Sequence, residues 1–162
     1  MFFKNPYFSR IRKFLLSMFI RKQGKTKIMH LPVAASAGAM AAGSLVAFES
    51  GTLVLATNTT ESYYIVGVLR KAVTTADSDY ATARLLSVEV PVEKNVVWEG
   101  DVKIGTLVAG SVGLYFDLTT ADDGSGIDQS ASVLDIALCV KYISASKGWF
   151  ILNIGAEGKV KA

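Results

Sequence analysis

The sequence GSLVAFESGTLVL, residues 43–55, decides the fold, together with YIVGVL at residues 64–69. Each apolar run is short, rich in Val, Leu and Ile, and bounded by Gly or by the Ser50-Gly51 pair. Such runs are typical of β-strands, and Gly supplies the backbone angles of the turns between them. The phrase returns as GTLVA at residues 105–109, which indicates the same turn-into-strand arrangement later in the chain.

From residue 44 onward the apolar residues lose any helical period. No segment of helical length separates the apolar runs, which disfavours alternating strand–helix units. Strands this short, with turns this frequent, favour a barrel or a sandwich. We therefore predict an all-β domain over residues 44–156, a small β-barrel or β-sandwich, followed by a tail at residues 157–162. The predicted strands cover residues 45–49, 52–57, 63–72, 83–92, 96–98, 106–108, 114–118, 132–144 and 148–154.

The end of the domain predicts a β-hairpin. Residues 144–148, SASKG, separate two apolar runs and bring residues 137–143 beside residues 149–154. Trp149 and Phe150 then face opposite sides of the sheet, because successive side chains alternate along a strand. Cys139, the only cysteine, lies in one of these runs and is expected to be a buried small hydrophobic residue.

Charge is distributed unevenly along the chain. Residues 29–162 hold nine basic and fourteen acidic side chains, a net charge of −5, whereas residues 1–28 hold no acidic residue. Such asymmetry usually marks a segment that binds another molecule. We assign residues 1–30 to a basic N-terminal arm. Residues 31–43 are small, apolar and uncharged, and we assign them to an extended connector. The basic residues of the arm are Lys4, Arg10, Arg12, Lys13, Arg21, Lys22, Lys25 and Lys27.

Within the arm, residues 9–22 carry the spacing of an amphipathic helix. The apolar side chains recur at intervals of three and four, which gathers them on one face. A helix of this length is marginal alone and needs a surface to pack on. That surface is a partner protein, an anionic membrane or the chain's own domain, and a disordered basic tail is the remaining alternative. The apolar residues of the predicted face are Ile11, Phe14, Leu15, Met18 and Phe19.

A targeting signal is another interpretation of the N-terminus. The apolar run at residues 14–20 is too short to span a bilayer. The basic residues at 21–27 separate it from the Ala-rich residues 34–42, where a signal peptide would be cleaved. We therefore do not expect secretion. Met29 could itself be a translation start, which would make residues 1–28 an upstream extension.

Side chains that carry chemistry are few. His30 and Cys139 are the only histidine and cysteine, so one chain cannot assemble a zinc site of the usual type. A Ser–His–Asp arrangement would have to use His30, which no nucleophile motif accompanies. Residues 122–128, DDGSGID, offer oxygen ligands for calcium but lack the closing Glu of an EF-hand, so a solvated loop is the simpler interpretation. We expect no cofactor, no metal and no enzymatic activity.

A basic arm with interleaved aromatic residues also suggests nucleic acid, since cations contact phosphates and aromatic rings stack on bases. The rest of the chain is acidic, however, and carries no nucleic-acid-binding motif. We therefore do not expect a nucleic acid partner.

The order of the apolar runs resembles a known family. Residues 43–48, 51–54 and 64–69 read GSLVAF, GTLV and YIVGVL, and WEGD at residues 98–101 and GTLV at residues 105–108 follow. Together with the hairpin at residues 137–154 they resemble the small capsid decoration, or cement, proteins of tailed bacteriophages. The resemblance covers about residues 40–154, and the basic extension at residues 1–28 departs from the family's pattern.

The resemblance implies a non-enzymatic virion protein that binds the outer capsid surface and stabilises the shell after assembly in the host cytoplasm. Its partners would be the major capsid protein and neighbouring copies of itself, with a homotrimer as one arrangement. We place the contacts in the arm, where apolar anchors would fill pockets and cations would pair with carboxylates. The alternative is a membrane- or cell-surface-associated β-module anchored by the same helix. The predicted contact residues are Arg10, Arg12, Lys13, Phe14, Leu15, Phe19, Arg21 and Lys22.

Overall fold

The computed structural model of the chain describes residues 19–119 and 126–154. These residues form β-strands joined by short loops, with 3₁₀ turns at Ser62–Tyr64 and Ala109–Ser111. The all-β prediction is therefore confirmed. The strands are β1 (Ile20–Gln23), β2 (Thr26–Val33), β3 (Leu45–Glu49), β4 (Thr52–Leu55), β5 (Ile65–Leu69), β6 (Arg84–Pro91), β7 (Val97–Ile104), β8 (Tyr115–Leu118), β9 (Ile127–Asp128), β10 (Ala137–Ser144) and β11 (Lys147–Leu152).

The first sheet is a closed five-stranded barrel with the strand order β2-β4-β3-β5-β6. β2 and β6 pair antiparallel along their whole length, from Thr26–Pro91 to Val33–Arg84. A parallel contact between Val33 and Leu53 joins β2 to β4 and closes the ring. The interior is filled by the inward side chains of these strands, as expected for a small barrel. This core contains Val33, Met40, Val46, Leu53, Leu69, Val73, Leu86 and Val88.

The second sheet has the order β1-β7-β11-β10-β8-β9, and β9 also pairs with β7, so the strands from β7 to β9 return on themselves. Trp98 and Phe150 are the largest fully buried side chains inside it. The same core includes Leu45, Ala47 and Ile65, which come from the first barrel's strands. One hydrophobic core therefore fills the second barrel and joins it to the first.

Both predicted hairpins are confirmed. Ser50 and Gly51, with φ of 48° and 82°, form the two-residue loop between β3 and β4. Two positive φ values are typical of a type I′ turn, whose twist matches that of the flanking strands. In the hairpin of β10 and β11, Phe150 is buried while Trp149 is half-buried, so the two rings face opposite sides. Cys139 is fully buried and unpaired, as expected.

Several predicted boundaries are wrong. Residues 106–108 form a loop, and the strand predicted at residues 96–98 extends from Val97 to Ile104 through an expected turn. The strand predicted from residue 132 begins at Ala137. The short strand β9 was not predicted; its two residues are too few to leave a pattern.

The main correction concerns the division of the chain into arm, connector and body. β1 and β2 lie within the predicted arm and connector, yet β2 pairs with β6 along its whole length and β1 with β7. The body therefore includes the chain from Phe19 onward, and residues 1–30 do not form one separate arm. The helix predicted over residues 9–22 is wrong from Ile20, where β1 begins, and its earlier residues lie outside the described part of the chain. β2 escaped prediction because Lys27 and His30 interrupt its apolar residues.

Candidate interaction surfaces

The predicted contact residues divide into two groups. Arg10, Arg12, Lys13, Phe14 and Leu15 lie outside the described residues, so their role as partner-binding residues stays a prediction. The other three are described: Phe19 directly precedes β1, and Arg21 and Lys22 lie in β1.

Phe19 is a core residue. Only 3% of its surface is exposed, and its backbone N–H donates to the carbonyl oxygen of Gly43 at 3.1 Å. Its ring lies directly over Gly100 of β7, where a methyl group would be 2.6 Å from the ring. Phe19 is therefore corrected from a partner-binding anchor to the residue that fixes the N-terminal segment in the body.

Arg21 is held by a buried carboxylate. Its Nε donates to Oε1 of Glu89 at 2.7 Å, and the hydroxyl of Thr26 donates to the same oxygen at 2.8 Å. Arg70 donates from Nη1 to the other oxygen, Oε2, at 2.8 Å. We call these four residues the Glu89 cluster. It links β1, β2, β6 and the residue that follows β5, so Arg21 has a structural role, while its role as a partner-binding residue stays a prediction.

Lys22 is the third residue with an intramolecular partner. Its Nζ lies 2.9 Å from Oε2 of Glu99 on β7, and the indole N–H of Trp149 donates to the same oxygen at 3.3 Å. The hydrogen bond from Lys22 is the main cause that lowers the pKa of Glu99, with smaller contributions from Trp149 and Lys147 and an opposing one from burial. Lys22 is therefore also engaged within the chain.

The buried carboxylates of the described residues all have structural partners. Besides Glu89, Asp117 is buried, and it accepts the backbone N–H groups of Val133, Leu134 and Asp135 at 2.7–2.9 Å. These bonds hold the loop before β10 against β8. Both carboxylates thus organise the fold by accepting hydrogen bonds from donors of other segments.

His30 and Ser87 face each other on the outside of the first barrel. The serine Oγ lies 3.2 Å from Nδ1 of His30, and both residues are solvent-accessible. Among the residues that the structure describes, no carboxylate hydrogen-bonds to His30, and no group of three potential metal ligands is found. The calcium alternative at residues 122–128 falls largely outside the described residues.

The most prominent feature of the surface is apolar and lies at one end of the second barrel. Six large apolar side chains there are each 39–56% exposed. They come from two neighbouring segments, the loop between β7 and β8 and the outer part of the β10–β11 hairpin. We call this surface the apolar end; its residues are Val108, Val112, Leu114, Tyr115, Tyr142 and Ile143.

Backbone hydrogen bonds place the two segments side by side. The N–H of Leu107 donates to Ala145 at 2.9 Å, and the N–H of Gly113 donates to Cys139 at 2.8 Å. Leu107 is itself buried, and the buried hydroxyl of Ser111 accepts the N–H of Val108 at 3.1 Å. The loop is thus anchored from within, and its remaining apolar side chains point outward.

The loop of the apolar end lacks charge. Residues 104–116 contain no charged side chain, whereas the exposed Lys141 lies beside Tyr142 in the hairpin. Clusters of exposed apolar side chains mark sites that bind a protein, a membrane or a ligand. The sequence predicts short strands at residues 106–108 and 114–118 with a turn between them, and the charge-free run is the signal from which the surface could have been found.

No known protein family, curated protein or solved structure has significant similarity to this chain. Within the described residues, no helix is both long and apolar enough to cross a bilayer. We therefore infer the function from the fold and from its surfaces.

Proposed function

We propose that the protein is a non-enzymatic structural protein of a virion, which binds the outer surface of the capsid and stabilises the shell. The observation that carries the proposal is the apolar end: exposed apolar side chains around a charge-free loop, on a body whose described residues form β-strands joined by loops and short 3₁₀ turns. The capsid surface would cover this apolar area, and its burial would drive attachment.

The body suits a role in which shape must be kept. Each barrel has its own core, side chains from strands of the first barrel pack into the core of the second, and the loop of the apolar end is fixed by the buried Leu107 and Ser111. A surface that is ordered before binding loses little conformational entropy when it binds. Both features favour a rigid clamp on a large assembly.

The segment before Phe19 supplies the second contact. Arg10, Arg12 and Lys13 would pair with carboxylates of the shell, while Phe14 and Leu15 would fill apolar pockets. Because Phe19 and the Glu89 cluster fix the root of this segment, its binding to a neighbouring subunit becomes effectively intramolecular once the body has bound. Avidity then rises without a larger body.

The proposed partners are the major capsid protein and neighbouring copies of this chain, with a homotrimer as one arrangement on the shell. The protein would be found on the capsid surface, and in the host cytoplasm during assembly. We propose no cofactor and no nucleic acid as partner.

A membrane or cell surface is the second candidate partner, and the composition of the apolar end favours it. Tyr115 and Tyr142 are amphipathic, and Lys141 next to them is exposed with its Nζ 4.3 Å from the centre of the Trp149 ring. Aromatic and basic residues around an apolar tip are typical of proteins that lie at a membrane interface.

The test is cosedimentation of the full chain with purified empty capsids of its virus and, in parallel, with vesicles of phosphatidylserine and phosphatidylcholine. We expect saturable binding to capsids, weakened at least tenfold by Val112→Ser with Leu114→Ser and by Phe14→Ser with Leu15→Ser. The matched control is Leu85→Ser, a residue that is 63% exposed on the first barrel. Binding to vesicles but not to capsids would replace the capsid with a membrane.

A further inference from the structure

The N-terminal segment enters the body near the apolar end. β1 runs antiparallel to β7, with Ile20 opposite Glu99. Followed backwards from Ile20, the chain therefore runs toward the C-terminal end of β7. That end is Ile104, which leads directly into the loop of the apolar end. The chain before Ile20 thus runs in the direction in which β7 leads to the loop of the apolar end.

The separation is short. Glu99 lies opposite Trp149 on β11, and Trp149 lies opposite Lys141 on β10, which is the neighbour of Tyr142 in the apolar end. Three strand spacings separate Ile20 from Lys141, which is about 14 Å. Eighteen residues precede Phe19, and an extended chain of that length spans about 60 Å. The segment can reach every residue of the apolar end on its own chain.

The two surfaces also match in chemistry. The sequence of the segment places Ile11, Phe14, Leu15 and Met18 at helical spacing on one face. Such a face needs an apolar surface to pack on. Six of the eleven exposed large apolar side chains among the described residues belong to the apolar end, and its loop has no charged side chain to oppose the contact. The net charge of −5 on residues 29–162 further attracts the basic segment.

We propose that, in the free protein, residues 1–18 lie on the apolar end of their own chain. The contact buries two apolar surfaces, the apolar face of residues 1–18 and the apolar end, and so keeps the protein monomeric before it binds its partner. Engagement of the partner then exposes both surfaces together. The inference goes beyond capsid attachment, because it concerns the protein alone and holds for either partner.

Cysteine cross-linking in the full chain tests the contact. Cys139 is buried and does not react, so Ser17→Cys combined with Val112→Cys gives two accessible thiols. Under mild copper–phenanthroline oxidation we expect an intramolecular disulfide to form at least tenfold faster than in the control, Ser17→Cys with Leu85→Cys. Equal rates in the two variants, or a disulfide-linked dimer as the main product, would overturn the proposal.

Dye binding gives an independent readout. In the full chain, Phe14→Ser with Leu15→Ser should raise bis-ANS fluorescence several-fold, because the apolar end is uncovered. Adding Val112→Ser and Leu114→Ser should remove the increase, while the matched control Lys4→Ser should leave the fluorescence of the parent unchanged. Unchanged fluorescence in the first variant would contradict the contact, whether or not the protein binds capsids.

Discussion

Glu89 is the residue that binds the first two strands, β1 and β2, to the rest of the body. Its side chain is 5% exposed and faces two arginines that are themselves about half exposed. An isolated buried carboxylate is costly, and this one is stabilised by three donors from three different segments. The cluster therefore holds β1 and β2 against β6 through charge-assisted hydrogen bonds.

Replacing this carboxylate should destabilise the protein. In Glu89→Gln the side chain keeps its size but loses its charge and one acceptor oxygen, so we expect the free energy of unfolding to fall by about 1–3 kcal/mol. Urea unfolding followed by tryptophan fluorescence measures the change. The matched control is Glu49→Gln, an exposed position at the end of β3, which should change stability by less than about 0.5 kcal/mol. A similar small change at Glu89 would mean that the cluster is dispensable.

Gly67 is required for close packing of strands. A methyl group at this position would overlap the backbone carbonyl oxygen of Glu89, an atom that cannot move aside without shifting β6. We expect Gly67→Ala to destabilise the protein by about 3 kcal/mol or more. Gly110→Ala is the control, because nothing lies within 4 Å of its added methyl group. Thermal unfolding of the two variants should separate them clearly; equal melting temperatures would contradict the packing.

The ion pair of Lys22 and Glu99 predicts a pH dependence. The pKa of Glu99 is lowered from its ordinary value of 4.5, mainly by Lys22. A carboxyl with a lowered pKa stabilises the folded state above the pKa of the unfolded chain, and this contribution is lost as the pH falls through the folded pKa. Lys22→Ala should therefore be less stable than the parent at about pH 7 and converge with it once the pH falls below the lowered pKa of Glu99.

Urea midpoints measured across that pH range test this prediction. Lys25→Ala is the control, because the Lys25 side chain is exposed in the turn after β1 and its replacement removes the same positive charge. If Lys22→Ala differed from the parent by a constant amount at every pH, the ion pair would not be the cause.

At the level of elements, the N-terminal strands decide where the chain can be shortened. A protein that begins at Met29 lacks Phe19, all of β1 including Arg21, and the first three residues of β2. Loss of a buried Phe side chain alone costs about 3–5 kcal/mol. We expect deletion of residues 1–28 to prevent stable folding, whereas deletion of residues 2–17 leaves a folded body. Circular dichroism and thermal melting of both proteins test this. A stable protein that starts at Met29 would show that β1 and the first three residues of β2 are dispensable.

Most elements could be predicted from the sequence, for a physical reason. Strands such as β3, β4 and β11 carry short apolar runs between Gly-containing turns, and local pattern alone indicates them. β1 could not be predicted, because all four of its residues are exposed and its stability comes from Glu89, Glu99 and the pairing with β7. Contacts with residues far along the chain leave no local signal.

The same limit applies to the candidate site. Phe19 is buried in the core. Arg21 and Lys22 have partners within the chain, because the helical spacing at residues 9–22 continues into residues that are held in a strand by distant acids. The apolar end was missed because Val108 and Leu114 belong to separate predicted elements, and only the fold brings them beside Tyr142. Sequence pattern locates apolar residues, but the closing of the barrel decides which of them face outward.

At the level of the whole molecule, two barrels joined by side chains of the first that pack into the core of the second form one body. This body holds the apolar end and the root of the N-terminal segment in fixed positions. This arrangement is what the proposed attachment to a shell requires. Both contacts act from one end of one barrel, so the remaining surface of the molecule stays free to face solvent or a neighbouring copy.

The most direct test is cryo-electron microscopy of purified particles of the virus, reconstructed with the protein present and after its removal. The account predicts additional density on the outside of the shell that fits the double barrel, with Val112 and Leu114 of the apolar end against the capsid. Particles without such density, or density on the inner surface of the shell, would contradict it.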